Sequence, residues 1–207
     1  MVKARNELDG KSTVEGNRLE EILSVAAQLF YEQGYHATTI QDVADRVGML
    51  KGSLYYYIRS KEDLLYTTLE QVIEKGDAYL ASKLAQGKDP VEKLRLVTEA
   101  EIEYIIHNQV TVGLFLHEFH VLSARRRRKI ISKMLEFEDR IVEVVKEGQA
   151  AGKFVDVDSR LAVYAILGMC NWIYRWYRDS RGINLDEVKS VFTRLILNGI
   201  VKRCKES

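Results

Sequence analysis

Residues 40–61 read IQDVADRVGMLKGSLYYYIRSK, and this stretch decides the fold of the N-terminal part of the chain. Apolar residues recur at spacings of three and four between Ile40 and Val47, which predicts a short helix. Gly48 then interrupts the pattern, and a second helix is predicted from about Lys51 to Ile58. Two short helices joined by a turn that contains glycine are typical of a helix-turn-helix.

The second helix of this pair carries the groups that a recognition helix needs. Such a helix lies in the major groove of DNA and presents hydrogen-bond donors to phosphates and base edges. Between Arg46 and Lys61 the sequence has four basic residues and no acidic one, and three consecutive tyrosines add hydroxyl groups. Leu54 and Ile58 are four residues apart and are expected to anchor the opposite face. The stretch therefore predicts binding to double-stranded DNA.

The positive charge is confined to this stretch. The whole chain of 207 residues has a net charge of +1, and residues 1–63 hold eight Lys or Arg against ten Asp or Glu. A protein that coats nucleic acid through bulk charge is therefore disfavoured. We expect DNA affinity to depend on the local face of the second helix.

The rest of the sequence predicts helices and no strand. Helical periodicity indicates further helices near residues 18–33, 60–84, 90–107, 109–122, 124–151, 158–178 and 185–203. Residues with short polar side chains are expected to cap them at Thr39, Ser60, Asp89, Asp158 and Asn184. We expect an all-α fold of about nine helices, with a flexible tail at 1–17, a helix-turn-helix domain at 18–64 and a helical bundle at 65–207.

Composition and missing motifs limit the class of protein. No apolar leader is visible, and the most apolar run, LAVYAILGMCNWIY, has 14 residues and is too short to span a bilayer. Cys170 and Cys204 lack the spacing of metal ligands. No phosphate-binding glycine loop, nucleophile elbow or pair of catalytic carboxylates is found. We expect a cytoplasmic protein that is not an enzyme, has no catalytic residues and does not bind a membrane.

Residues 18–66 resemble the DNA-binding domain of the TetR family of transcriptional regulators. The resemblance is carried by FYEQGY at 30–35, ATTI at 37–40, DVA at 42–44, VGMLKGSLYYY at 47–57 and SKEDL at 60–64. It runs over nearly 50 residues without a gap. Two positions depart from the family pattern, since Leu50 stands where serine is common and Ile58 stands where phenylalanine is common. Leu50 puts a side-chain cap for the second helix in doubt, whereas Ile58 is expected only to repack the core.

The resemblance implies a role for each matching residue. Thr39 is expected to meet a phosphate, and Lys51, Gly52 and Ser53 are expected to open the recognition helix at the DNA. Tyr55 and Tyr57 are expected to contact the DNA backbone, with Tyr56 near the bases. Lys61 is expected to hold a phosphate.

The resemblance also implies a homodimer whose body binds a small effector. The dimer is expected to form through helices 158–178 and 185–203 and to bind a palindromic operator as a repressor that the effector releases. The segments CNWIYRWYR at 170–178 and GMLKGSLYYYI at 48–58 are similar to the subset of the family that responds to fatty acyl or other acyl-CoA thioesters. The effector is therefore expected to be small and apolar, such as a fatty acyl-CoA, with no other cofactor. The candidate ligand-binding residues are Tyr104, His107, Phe115, Phe119, Trp172, Arg175 and Trp176.

Several features allow more than one interpretation. Arg175 and its aromatic neighbours form either a pocket wall or a dimer core. The run at 125–129, RRRRK, is either a solvated turn or a counter-charge for CoA phosphates, and it wraps too far around a helix to form one flat patch on DNA. Helical spacing groups His107 with Glu103 and His117 with His120, and Glu118 lies nearby, which allows a metal site or surface histidines.

Two rival functions follow from these alternatives. One is an all-α enzyme or metal-binding bundle, and the other is an architectural DNA-binding protein that has no effector. A sequence-specific footprint that a metabolite abolishes would distinguish the regulator from both.

Overall fold

The computed structural model describes residues 2–177 and 182–202, with side chains described from Asn17 onward. The order of its helices is α1 (Val2–Gln33), α2 (Ile40–Arg46), α3 (Lys51–Leu54), α4 (Lys61–Leu84), α5 (Pro90–His107), α6 (Gln109–Glu118), a 3-10 helix (Phe119–Val121), α7 (Ala124–Ala150), α8 (Ser159–Asn171), α9 (Ile173–Trp176) and α10 (Leu185–Ile200). The predicted all-α class is confirmed. Extended pairing within the described ranges is limited to one isolated bridge between Phe154 and Val201.

The predicted N-caps hold the starts of five helices. The side chains of Thr39, Ser60, Asp89, Asp158 and Asn184 each accept a hydrogen bond from a backbone N–H in the first turn. These bonds satisfy donors that have no partner inside a helix.

The structure differs from the sequence prediction at two N-terminal positions. The first helix begins at Val2 and not at Arg18, so the predicted tail 1–17 is helical from its second residue. Extension from an existing helix avoids the unfavourable step of nucleation, and no proline interrupts the segment. Helix α3 ends at Leu54 and not at Ile58, and residues 55–57 form hydrogen-bonded turns. Residues 55–58 are three tyrosines and an isoleucine, and aromatic and β-branched side chains lose conformational freedom in a helix.

The C-terminal helices are shorter than predicted. The helix predicted at 158–178 breaks at Trp172, whose N–H reaches the Gly168 carbonyl only at 3.4 Å, and α9 follows as one turn. The last helix ends at Ile200 and not at residue 203, because the backbone of residues 200–202 instead pairs with residues 153–155. The helix predicted at 109–122 ends as the 3-10 helix. Arg178, Arg203 and Cys204 lie outside the described residues.

The apolar side chains form two cores that meet along α4. The N-terminal core joins α1, α2 and α3 with Leu114, Leu122 and Ile130 from the body. The second core surrounds α5 and includes residues of α7, α8 and α10. Helix α4 contributes Leu64, Leu65 and Leu69 to the first core and Val72 and Leu80 to the second, so it crosses the domain boundary predicted at 64/65 as a continuous helix.

Helices α4 and α7 are joined by a ladder of ion pairs. Arg126 contacts Asp63 at 2.6 Å, Lys133 contacts Glu70 at 3.3 Å, and Arg140 contacts Asp77 at 2.7 Å. The three acids are seven residues apart along α4, and the three bases are seven residues apart along α7. The two helices therefore run parallel to each other with a constant register. Residues seven apart lie on the same side of a helix, so all three pairs lie along one contact line between α4 and α7.

No helix within the described ranges combines the length and the apolar composition needed to cross a membrane.

We predict that Gly148→Ala destabilises the fold. A Cβ atom on Gly148 would lie 2.1 Å from the ring of Phe154, which is fully buried in the second core and cannot move aside freely. Overpacking of this kind costs about 1–3 kcal/mol of unfolding free energy. Denaturant unfolding at matched protein concentration measures the change.

The matched control is Gly52→Ala, because that exposed helical glycine has no atom within 4 Å of an added Cβ. Its stability is expected to stay equal or to rise by up to about 1 kcal/mol. Equal stability of the two variants would contradict the predicted clash.

Candidate nucleic-acid interface and ligand cavity

A reciprocal capping box fixes the start of α2. Thr39 Oγ1 accepts a hydrogen bond from the Asp42 N–H at 3.1 Å, and Asp42 accepts one from the Thr39 N–H at 2.7 Å. These bonds lower the pKa of Asp42, so its carboxylate stays charged at neutral pH. Thr39 is exposed, and its hydroxyl hydrogen can still be donated to a phosphate.

The turn between α2 and α3 is closed by backbone bonds. Gly48 has a φ of +67°, a conformation that glycine adopts without strain. The Met49 N–H then donates to the Ala44 carbonyl at 2.9 Å, and Arg18 of α1 donates to the Val47 carbonyl at 2.8 Å. The turn is thus tied to both helices that brace it.

The recognition segment, residues 51–58, comprises α3 and the hydrogen-bonded turns that follow it, and it buries one face and exposes the other. Leu54 and Ile58 are buried in the N-terminal core, as predicted from their spacing. The solvent-facing side presents the predicted contact residues Lys51, Gly52, Ser53, Tyr55 and Tyr56.

The remaining residues of this face refine the prediction. Tyr57 is only half exposed, and its ring packs edge-on against Tyr56 at 5.2 Å between centroids. Leu50 is 79% exposed and makes no side-chain cap, as its departure from the family pattern indicated. Arg46 and Arg59 are exposed and add positive charge beside α3. The result is an exposed, basic and hydroxyl-rich surface.

Lys61, which the resemblance implied as a phosphate ligand, makes its contacts within the protein. Its ammonium group donates to the carbonyls of Tyr35, His36 and Thr38 at 2.8, 3.3 and 2.9 Å. It also lies 4.3 Å from the centroid of the Tyr35 ring. Three donors meet three acceptors, so the group is saturated by the α1–α2 loop and holds that loop against α4.

The body contains a cavity of about 120 Å³ between α4, α5, α6, α7 and α8. Most of its wall is apolar. It is lined by Val72, Ile73, Gly76, Glu101, Tyr104, Ile105, Val112, Phe115, Met134, Phe137, Glu138, Leu167 and Asn171. Two of the predicted ligand-binding residues, Tyr104 and Phe115, are among them.

The other five predicted ligand residues lie elsewhere. His107 borders a separate surface depression, Phe119 packs beside Phe115 at the end of α6, and Trp176 stacks on Phe192. Trp172 and Arg175 are exposed on the surface of α8 and α9. An aromatic or basic residue at helical spacing can face a cavity, a neighbouring helix or solvent, so the role of these five residues in ligand binding stays a prediction.

Two acidic residues in the cavity wall were missed. Glu101 occupies the apolar face of α5, four residues before Ile105, and Glu138 lies between Met134 and Ile141 on the apolar face of α7. An acid at a core position of an amphipathic helix is the sequence signal that would have found both. Burial raises the pKa of Glu101 to about 7 and raises the pKa of Glu138.

The basic run at 125–129 does not form a uniform solvated turn. Arg126 turns inward to Asp63 and lies 5.0 Å from the centroid of the Tyr66 ring, whereas Arg125 and Arg128 are exposed. Arg127 donates to the His120 carbonyl at 3.2 Å. One member of the run therefore anchors α7 to the start of α4.

The histidines do not assemble a metal site among the described residues. His107 Nδ1 lies 2.7 Å from the Glu103 carbonyl oxygen, and His117 Nε2 lies 2.8 Å from the Tyr174 hydroxyl. Glu118 accepts a bond from the Tyr35 N–H at 3.4 Å. Each candidate ligand thus points to a different partner.

Two further contacts connect the DNA-facing unit to the body. Glu62, at the start of α4, accepts a hydrogen bond from the Ser123 N–H at 2.9 Å, which lowers the pKa of Glu62. Glu118 reaches the α1–α2 loop from the end of α6, two turns beyond the cavity residue Val112. The segment that follows the cavity wall therefore contacts the helix-turn-helix directly.

Comparison with known proteins identifies both parts of the chain. Residues 22–66 match the family described as "Bacterial regulatory proteins, tetR family", and residues 87–200 match "Tetracyclin repressor-like, C-terminal domain". A curated relative, the HTH-type transcriptional repressor KstR2 of Rhodococcus jostii strain RHA1, is 30% identical over 198 residues, which cover 94% of this chain and 95% of the relative.

Solved structures of similar proteins share the fold. The ketosteroid transcriptional regulator KstR2 of Mycobacterium tuberculosis superposes with a TM-score of 0.81 at 30% identity, covering 90% of this chain and 96% of that chain. AibR, solved in complex with isovaleryl coenzyme A and operator DNA, gives a TM-score of 0.79 at 26% identity, covering 86% of this chain and 97% of that chain.

These relatives are transcriptional regulators, which confirms the prediction that the protein is not an enzyme. Because the C-terminal match alone spans more than half of the 207 residues, the chain belongs to the TetR family of bacterial regulatory proteins.

Proposed function

We propose that this protein is a homodimeric transcriptional repressor that binds a palindromic operator and is released by a small apolar effector. The observation that carries the proposal is the exposed face of α3, which is rigidly backed by Leu54 and Ile58 in the N-terminal core. Lys51, Ser53 and Tyr55 on that face supply donors for phosphates and base edges. The TetR family membership supports this assignment.

The surface of α8 and α10 supports a dimer. Its exposed apolar side chains are Leu161, Tyr164, Met169, Trp172, Val191 and Leu195. An apolar patch of this kind on a protein surface marks an interaction site, and Gly168 and Ala165 allow a partner helix to approach closely. Twofold symmetry would present two copies of α3 to successive turns of the major groove, about 34 Å apart.

The cavity supports an effector with a short apolar group. An engineered cavity of roughly 150 Å³ holds a benzene ring, so about 120 Å³ suits a group of five or six carbons better than a long fatty chain. AibR, whose complex contains isovaleryl coenzyme A, is similar in fold. A short acyl thioester is therefore the effector class that we favour.

The connection between cavity and DNA runs through α4 and α6. Val72, Ile73 and Gly76 of α4 line the cavity, and the same helix begins three residues after Ile58 of the recognition segment. An effector that binds more tightly, by about 3 kcal/mol, to the conformation that cannot bind DNA weakens operator binding by roughly a hundredfold. An architectural DNA-binding protein would show no such response.

Replacement of Lys51 or Tyr55 by alanine is expected to remove specific binding to a duplex selected with the wild-type protein from a random pool. Each lost contact costs about 1–3 kcal/mol of binding free energy. Loss of Lys51 also removes one phosphate contact, so the slope of log affinity against log salt concentration becomes shallower by about one. Titration of fluorescent duplex at several salt concentrations measures both effects. The control is Lys88→Ala, which removes an exposed basic side chain far from α3. If all three variants lose the same DNA affinity, the face assigned to DNA binding is wrong.

Lys61→Met is expected to lower the free energy of unfolding in the absence of DNA. The variant leaves three carbonyls without their charged donor, and bonds of this kind contribute about 1–2 kcal/mol. Lys51→Met, at an exposed position, is expected to change stability by less than about 0.5 kcal/mol. If Lys61→Met lowers only DNA affinity, the lysine is a phosphate ligand and not a structural clamp.

Isovaleryl-CoA is expected to release the selected operator, and Val112→Phe is expected to abolish the release while operator binding remains. The larger side chain fills the cavity from α6. Leu116→Phe enlarges an exposed side chain on the same helix and is expected to leave the response intact. If no acyl thioester changes the operator affinity, acyl thioesters are not the effector class.

A further inference from the structure

Glu101 brings a carboxyl group into the apolar wall of the cavity. The neighbouring Tyr104 hydroxyl is already used, since it donates to the Val72 carbonyl at 2.6 Å. Within the described ranges, by contrast, Glu101 has neither a hydrogen bond nor an ion pair. The carboxyl group is therefore available to a molecule in the cavity.

The groups around Glu101 contain no compensating cation. On its own helix the nearest titratable group is Tyr104, and Cys170 of α8 is buried nearby. Glu138 of α7 lines the same cavity and has its own partner, Arg160, at 3.8 Å. The lining residues of α4 and α6 carry no titratable side chain.

An acid in these surroundings is stable in its uncharged form. Burial without a counter-charge penalises the carboxylate, and the pKa of Glu101 rises to about 7. Below that pH the group is a neutral O–H donor that lacks an acceptor inside the protein. A half-buried donor of this kind in an apolar wall gains when a ligand supplies the missing acceptor.

We infer that the effector carries an uncharged hydrogen-bond acceptor, such as the carbonyl oxygen of a ketone or thioester, and that this oxygen accepts a hydrogen bond from the carboxyl group of Glu101. The inference rests on the proposed function and names the chemical group that the cavity selects. A carboxylate-bearing ligand would find no cation among the residues that line the cavity. A cationic ligand would need the buried acid to ionise, which its apolar surroundings oppose.

The affinity for such a ligand is then expected to fall as the pH rises. Because the pKa of Glu101 is raised, the donor form predominates below about pH 7 and disappears above it. Affinity for a neutral acceptor is expected to be constant in mild acid and to fall about tenfold between pH 6 and pH 8. A cationic ligand would show the opposite slope.

Three small probes of similar shape test the inference on the full-length protein. Cyclohexanone carries the acceptor, methylcyclohexane lacks it, and cyclohexylammonium carries a positive charge; NMR chemical-shift titrations at pH 6, 7 and 8 give their affinities. We expect cyclohexanone to bind more tightly than the other two at pH 6 and to lose about tenfold by pH 8. Tightest binding of the cation, with affinity rising with pH, would overturn the inference.

Variants at two positions of α5 assign the effect to one residue. Glu101→Gln keeps a donor that does not titrate, so its affinity for cyclohexanone is expected to be independent of pH. Glu101→Leu is expected to lose the preference for the ketone over methylcyclohexane, whose binding reports that the cavity is intact. The control is Glu103→Gln, because Glu103 bonds to Tyr79 at 2.5 Å outside the cavity and its replacement should leave the pH dependence unchanged.

The outcomes separate this inference from the proposed function. Ketone binding without pH dependence, or pH dependence that survives in Glu101→Gln, overturns the inference alone. A cavity ligand that leaves operator affinity unchanged overturns the effector response alone. If none of the probes binds at any pH, the cavity is not a ligand site and both fail, while operator binding is judged from the α3 variants.

Discussion

The membership of α4 in both hydrophobic cores is the constraint on which the rest of the structure depends. Its first two turns bury Leu64, Leu65 and Leu69 against the helix-turn-helix, and its middle buries Val72 beside the cavity. The recognition segment ends only three residues before this helix begins. Since packed interiors transmit strain, α4 is the element through which the proposed effector response would reach α3.

The start of α7 shows how the two parts depend on each other. This helix begins with four arginines and has no acid in its first turn and no side-chain cap, an arrangement that the helix dipole disfavours. Glu62 and Asp63 of α4 supply the missing negative charge from outside the helix, through the Ser123 N–H and Arg126. The basic run at 125–129, for which the sequence allowed a role in ligand binding, is thus partly explained by the contact of Arg126 with α4.

The sequence predicted local structure well and long-range contacts poorly. Thr39, Gly48 and Asp89 act through neighbours two to four residues away, so their patterns alone identified the caps and the turn. The alternation of buried and exposed residues in α3 was predicted for the same reason. The contacts of Lys61 with the loop between α1 and α2 were not predicted, because the partners lie more than 20 residues away in the sequence and no local pattern encodes them. Glu101 was recognisable in principle, since an acid interrupts an otherwise apolar helix face.

The ladder between α4 and α7 limits how an effector signal can travel. Its pairs repeat every seven residues on both helices, so a slide of one helical turn would separate Arg126 from Asp63 and Arg140 from Asp77. Lys133 alone already contacts two acids one turn apart, Glu70 and Glu74. Register would be restored only after about 10.5 Å, which is far more than a packed interface allows. The ladder therefore disfavours translation along the helix axes and favours a movement in which the two helices keep their register and swing together as one lever.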